Sequence, residues 1–301
     1  MIGQASIAFE STINSAGALS DGTAMPSRSP QDRKQMSEPL LFEPGRFCTA
    51  AAHYRAGRRP YPPVLIRRVA EATALNEQHR VLDLGCGPGN LAIGFGYFAG
   101  EVVGLDPAPE MVAAAVAAAQ GLTPNVSFRQ GSSYELGLEL GCFRLVTMGR
   151  SFHWMDRAQT LRSLDQIVQT GGALALFGEA HPDSPENGWL KEWEEITDRY
   201  AATDPLQERR QAGTWATDET VLLASPFPHM EKIILTIRDV VCTESLIERA
   251  LSHRIDKQPD RLVQDLREVL ERIAPDGSVT ETVEWVALIA RRIPSQVSSC
   301  T

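Results

Sequence analysis

Short runs rich in apolar residues alternate with helix-like stretches through the middle of the chain, and this rhythm predicts most of the architecture. Runs at 80–84, 101–105, 126–130, 143–148 and 173–178 have strand length. Between them, 90–98, 108–120 and 157–169 read as helices. Pro107 and Pro109 suit the first turn of the second helix. Asp156 with Gln159 resembles a capping box opening the third, and Gly171-Gly172 closes it. Upstream, Pro62 and Pro63 precede a helix over 64–75 that carries Leu65, Val69 and Ala72 on one face. Strands alternating with helices predict an α/β fold, a mostly parallel sheet covered on both faces.

After Phe177 the rhythm breaks. Residues 180–230 are too long for a simple connection and read as a helical insertion over the active-site end of the sheet. A strand at 230–237, helices near 243–254 and 259–273, and a strand at 282–292 complete the pattern. The chain therefore divides into a poorly ordered tail (1–45), a core (46–179), a helical lid (180–230) and a C-terminal completion of the sheet (231–301).

Charge and cysteine content narrow the function. A net charge of −9 disfavours nucleic acid, which needs a basic face. The insertion alone carries ten acidic residues against four basic. No apolar run reaches the roughly 18 residues of a membrane span, and the start lacks the features of a secretory signal. Five scattered cysteines with no C-x-x-C pair argue against a disulfide framework or a structural metal, and fit a reducing cytoplasm.

The chemistry centres on Asp83-Leu84-Gly85-Cys86-Gly87-Pro88-Gly89-Asn90. A strand entering a glycine-rich turn lets backbone N–H groups and a helix start approach a nucleotide-like ligand. The dinucleotide fingerprint G-x-G-x-x-G would need glycine where Asn90 stands, and no phosphate-loop motif occurs. Asp83 suits a cationic, amine-bearing ligand better than a pyrophosphate. The segment resembles motif I of the class I S-adenosylmethionine-dependent methyltransferases. That resemblance implies a Rossmann-like seven-stranded, mostly parallel sheet with S-adenosyl-L-methionine as cofactor and S-adenosyl-L-homocysteine as product.

Further segments extend the resemblance from about Tyr54 to Gly178. Asp106 ends a strand 21 residues after Gly85, where an acid can accept hydrogen bonds from both ribose hydroxyls. By the resemblance Pro107 follows it at the cofactor and Met111 lies against the adenine, although a core methionine would read the same way. Ser132 matches the position that receives the adenine amino group, with the Ser133 N–H beside it. Gly149 would let the backbone pass under the methionine moiety. In Ser151-Phe152-His153-Trp154-Met155-Asp156, a segment close to that of the type 11 group, His153 and Trp154 would border the methyl exit path. Equally, Trp154 can pack on the next helix and His153 can bond the turn. That group includes ubiquinone/menaquinone-type and trans-aconitate-type enzymes. Upstream, Tyr54 and Arg59 match residues that fold over the cofactor and meet its carboxylate.

These readings predict methyl transfer to a small-molecule acceptor: a carboxylate, an enol or phenol oxygen, or carbon. A carboxylate needs no base, whereas the others do, and His153 is the candidate. Trp189 and Trp193 of the insertion are candidate walls of the acceptor pocket or the insertion's own core. The expected protein is a monomer or homodimer with no metal, nucleic-acid or membrane partner. Competing readings are a non-catalytic adenosyl-ligand-binding or regulatory subunit, an NAD oxidoreductase, which Asn90 and Asp83 disfavour, and a nucleic-acid methyltransferase.

Overall fold

The computed structural model describes residues 57–201, 208–209, 212–213, 215–252 and 258–293. The expected tail at 1–45 and the candidate Tyr54 lie outside them.

Helix α1 (Pro63–Ala72) buries Leu65, Ile66, Val69 and Ala70, a stripe of helical period. It ends where the Thr73 hydroxyl donates to the Val69 carbonyl at 2.8 Å. Then follow β1 (Arg80–Leu84), α2 (Asn90–Phe95), β2 (Glu101–Asp106), α3 (Pro109–Ala119), β3 (Val126–Gln130), β4 (Phe143–Gly149), α4 (Arg157–Ile167) and β5 (Val168–Ala180). Asp156 caps α4 by accepting the Gln159 N–H at 2.9 Å.

The Gly171-Gly172 pair does not close α4, contrary to the sequence expectation. The helix stops at Ile167 and Val168 already pairs with Phe143. The glycines occupy an irregular stretch of β5, where the register against β4 shifts and Gly171 adopts φ +73°.

Beyond β5 come α5 (Leu190–Tyr200), α6 (Asp218–Leu223), β6 (His229–Cys242), α7 (Thr243–Leu251), α8 (Pro259–Ile273) and β7 (Ser278–Arg291). The last two strands are longer than their apolar runs, at 14 residues each, because they pair along their whole length.

The seven strands form one sheet in the order β3-β2-β1-β4-β5-β7-β6. The first five are mutually parallel, while β7 is antiparallel to both β5 and β6. From β1 the chain winds outward through β2 to β3, then returns to β4 on the other side of β1. That reversal opens a crevice beyond the carboxyl ends of β1 and β4, the place where open α/β sheets bind ligands.

One sheet face buries α1 and α2 against Val81, Val102, Leu145, Ala175 and Ile289. The other packs α4 and Phe227 against Leu82, Val103, Val146 and Leu174. A third apolar cluster joins α5, α7 and α8 through Trp193, Ile196, Leu246, Leu262, Leu266 and Leu270. It is tied to the start of β7 by the Trp189 indole N–H, which donates to the Thr280 carbonyl at 3.1 Å. Because β7 runs against β5 and pairs Ala180 with Glu284, its first residues extend past the carboxyl end of β5. The helical cluster therefore stands at the same end of the sheet as the crevice.

Cys86 and Cys242 are free thiols, whereas Cys142 is disulfide-bonded, a single bridge beside the expectation of no disulfide framework. Among the described residues, no helix is long and apolar enough to cross a membrane, and no cluster of His, Cys, Asp or Glu could hold a metal ion.

Candidate active site

The glycine turn closes back onto the end of β2. The Gly85 and Cys86 N–H groups donate to the Leu105 carbonyl at 2.8 and 2.9 Å, and the Gly87 N–H donates to Asp106 Oδ2 at 2.8 Å. Gly85, Gly87 and Gly89 all have positive φ, which a side chain would strain. Their surroundings differ. A Cβ on Gly85 would strike Ser151 and one on Gly89 would strike Phe128, whereas one on Gly87 meets nothing within 4 Å. Thus Gly85 and Gly89 serve close packing, and Gly87 borders open space at the crevice.

Two buried carboxylates flank that turn. Asp83 Oδ2 accepts the Ala92 N–H in the first turn of α2 at 3.0 Å, and its Oδ1 accepts the Thr147 hydroxyl at 2.8 Å. Burial pushes its carboxyl up to about 7, against the pull of those two hydrogen bonds, and nearby Asp106 adds to the rise. Asp106 Oδ1 accepts the Ala108 N–H at 2.9 Å, and burial raises this carboxyl too. Buried Cys86 sits between them, and desolvation followed by the two acids raises its thiol well above the usual range. An acid tied to backbone donors keeps a fixed direction, and each oxygen retains a further lone pair for a ligand. Pro107 accepts the Gln130 amide at 3.1 Å, and Met111 is buried in the first turn of α3.

At the carboxyl end of β3, Ser132 caps a short 3-10 turn over Ser133–Glu135, with Glu135 Oε2 accepting the Ser132 N–H at 2.7 Å. The expected adenine contact from Ser132 thus starts from a hydroxyl already engaged in a capping box. Ser133 is buried at the start of that turn, where a helix leaves N–H groups without intrahelical partners.

The segment after β4 forms the opposite wall. Ser151 donates its hydroxyl to the Leu84 carbonyl at 2.8 Å, which fastens this wall to the glycine turn. Arg150 has φ +53°, unusual for a residue with a side chain and of the kind found at ligand clamps. His153 and Trp154 lie in a 3-10 turn over Phe152–Trp154, their rings 4.6 Å apart, with His153 buried. A Cβ on Gly149 would fall 2.6 Å from the Tyr61 hydroxyl and 2.7 Å from Leu91. Tyr61 packs edge-on against Phe177 and Trp285, with the Arg150 guanidinium 4.9 Å over its ring.

From Arg150 a charged cluster continues beyond the end of β5, and sequence reasoning missed nearly all of it. Arg150 donates to Glu179 Oε1 at 2.8 Å, with Arg58 3.9 Å from the same oxygen. Glu281, wholly buried, receives both arms of Arg249 at 3.0 Å, pairs with Arg59, and has His181 Nε2 at 3.3 Å. Asp239, more than half exposed, is 3.7 Å from Arg59. Burial opposes ionisation of Glu179, yet Arg150, Arg58 and Arg249 outweigh it and hold the carboxyl at about 2. Burial also brings His181 down to about 4, so its imidazole is neutral at pH 7, and Arg249 down to about 10. One local signal existed: Glu179 follows the apolar run Ala173–Phe177 at a strand end. Nothing local links it to Glu281.

Trp193 is buried inside the helical cluster, its N–H directed to the Leu246 carbonyl at 3.3 Å, and Trp189 stacks edge-on to it at 6.5 Å. Both therefore contribute to the cluster's own core. The structure gathers Asp83, Gly85, Cys86, Gly87 and Asp106 at one turn, with Gly149 and His153 on the wall beside it. It carries Arg59 to the charged cluster instead.

Residues 81–172 match the family model described as a methyltransferase domain. An uncharacterised methyltransferase of Mycobacterium bovis is 28% identical over 206 residues, covering 68% of this chain and 75% of its own. Ajmaline N-methyltransferase of Rauvolfia serpentina is 29% identical over 167 residues, covering 51% and 55%. A solved structure from Anaeromyxobacter dehalogenans, provisionally assigned as a type II methyltransferase, superposes with TM-score 0.57 at 18% identity over 78% of this chain and 97% of its own. That likeness is one of fold. Residues 81–172 thus match a methyltransferase-domain model, and the chain is similar to methyltransferases in sequence and in fold.

Proposed function

We propose that the protein transfers a methyl group from S-adenosylmethionine to a small-molecule acceptor. The observation that carries this reading is the pair of carboxylates, Asp83 and Asp106, held by backbone donors on either side of a glycine turn whose middle glycine borders open space. Their chemistry fits the cofactor: Asp106 would accept the ribose hydroxyls, and Asp83 would offset the cofactor's positive charge. The Ser133 N–H would face the adenine ring, whereas the space beside Gly149 is taken by the Tyr61 hydroxyl and Leu91. The cofactor brings a methyl group already activated on a sulfonium. The chain's own contribution is to position the acceptor, exclude water and, for a protic acceptor, take up its proton.

His153, buried beside Trp154 on the wall after β4, is the base in this reading. With a carboxylate acceptor it would only orient.

Calorimetry with S-adenosylmethionine, S-adenosylhomocysteine and NAD tests the donor. Adenosyl binding without NAD binding is expected, and NAD binding alone would reject the reading. Labelled S-adenosylmethionine with a metabolite panel, read as the mass gain of one methylene, tests turnover. Adenosyl binding with no turnover on any acceptor would favour a regulatory subunit instead. The base role of His153 predicts that His153→Ala lowers the rate by about 100-fold with a protic acceptor. An unchanged rate across the pH range would remove that role.

A further inference from the structure

We propose that the outer edge of β6 pairs with the same strand of a second copy of this chain, giving an antiparallel homodimer in which one sheet runs through both copies. This interface stands apart from the methyl-transfer reading.

Strand β6 ends the strand order, and among the described residues no further strand pairs with it. It runs along β7 for all 14 of its residues without a register shift, and it contains no proline. Bulges and prolines are two of the devices that blunt an open edge, and both are missing here. The outward backbone groups can be named. Past the end of the ladder, the Thr243 N–H donates to the Gly277 carbonyl at 3.0 Å in the same register, so odd-numbered positions face β7. The Val240 N–H instead turns to Asp239 Oδ1 at 2.9 Å, so even-numbered positions face outward. The edge therefore offers the N–H and C=O groups of Lys232, Ile234, Thr236 and Arg238. All four residues are exposed, and Ile234 shows 44% of its surface. A row of outward backbone groups with an isoleucine at its middle fits a strand as its partner.

The charges along the strand select a second copy and a register. About a two-fold axis normal to the sheet, each residue faces one of its own parity. With the axis at Ile234, the two copies of that residue meet and Ile233 faces the partner's Leu235. Lys232 then faces the partner's Thr236, Met230 the partner's Arg238 and His229 the partner's Asp239. No like charges oppose one another. Glu231, which faces the partner's Ile237, already leans on Arg291 of its own β7 at 3.1 Å. An axis at Leu235 would set Lys232 against the partner's Arg238 and Glu231 against the partner's Asp239, both repulsive. An axis at Ile233 would set Lys232 against the partner's Ile234, and one at Thr236 would set Asp239 against the partner's Ile233. The strand is thus self-complementary in one register, as an isologous interface requires. Ile233, Leu235 and Ile237 lie against the apolar cluster beneath α1, so this register carries that cluster across the axis.

Sedimentation velocity on the full chain over a concentration series is expected to show a monomer–dimer equilibrium. Ile234→Lys places two like charges at the axis and should weaken the dimer about 100-fold, with the circular dichroism unchanged. Should Ile234→Lys not fold, Thr236→Lys, which meets the partner's Lys232, serves the same purpose. Two cysteine variants in a Cys242→Ser background read the register. Ile234→Cys should give a covalent dimer on mild oxidation, since its two Cα atoms would lie about 5.5 Å apart. Val240→Cys is the more exposed position at 66%, yet it should not cross-link, since its two copies would stand about 40 Å apart. A monomer at every concentration, a dimer that the lysine variants leave intact, or equal cross-linking by both cysteine variants would overturn the proposal. So would Ile234 and Thr236 amides that exchange slowly in the monomer, because another part of the chain would then cover the edge.

Discussion

The two halves of the crevice use buried acids in opposite ways. On the β1–β2 side, Asp83 and Asp106 are held by backbone N–H groups and one hydroxyl, with no cation among the causes of their shifts, and both carboxyls rise. On the β5–β7 side, Glu179 is partly buried and faces Arg150, Arg58 and Arg249, and its carboxyl falls to about 2. Burial alone therefore does not decide the charge of an acid; the neighbours that the topology delivers do. The β1–β2 side thus gathers acids without cations, and the β5–β7 side pairs its acids with arginines.

The largest effect that could break this contrast is expected at Glu281. Glu281→Gln leaves Arg59 and Arg249 without their shared buried counter-charge and should lower stability by about 3 kcal/mol, read by urea unfolding. A loss below about 1 kcal/mol would mean that the cluster is well solvated. Next, Asp106→Ala removes the proposed ribose acceptor and should weaken S-adenosylhomocysteine binding about 100-fold by calorimetry. Unchanged affinity would detach the β2 end from the cofactor.

The pH dependence sharpens the comparison further. The folded chain holds the Asp83 proton more tightly than the unfolded chain, whose value is near 3.8. Its contribution to stability is therefore present below about 4 and is lost as pH rises through about 7. Glu179 does the reverse: its contribution is present above about 4.5 and is lost as pH falls towards about 2. In urea titrations across pH, Asp83→Asn should flatten the upper limb and Glu179→Gln the lower one. Limbs that both variants leave intact would contradict the assignment. Smallest is Gly87→Ala, which meets no atom but takes a left-handed backbone. It should cost about 1 kcal/mol of stability. Its loss of S-adenosylhomocysteine affinity should exceed that of any comparably destabilised variant remote from the crevice.

Much of the donor side was legible because its residues are neighbours in sequence. Asp83 through Gly89 lie on one strand and its turn, and Asp106 ends the next strand of the alternation. Thr147 and Ser151, which clamp Asp83 and Leu84 from β4, gave no such signal, since a threonine in a strand has many ordinary uses. The tryptophans were open to two readings for a physical reason: an amphipathic helix such as α5 needs large apolar residues for its own packing, and Trp193 serves that need. The Gly171-Gly172 pair read as a helix end because glycine marks helix ends and strand irregularities alike.

By itself the sequence determined the strand–helix alternation, the glycine turn and the acids at the ends of β1 and β2, because these follow from local periodicity and backbone conformation. Only the tertiary structure decided the strand order, with its reversal between β1 and β4, and the meeting of Arg58, Arg59, Arg150 and Arg249 with Glu179 and Glu281. Those six residues span more than two hundred positions of chain. Their charges find one another only when the parallel strands, the antiparallel β7 and the helix α7 are brought to the same end of one sheet.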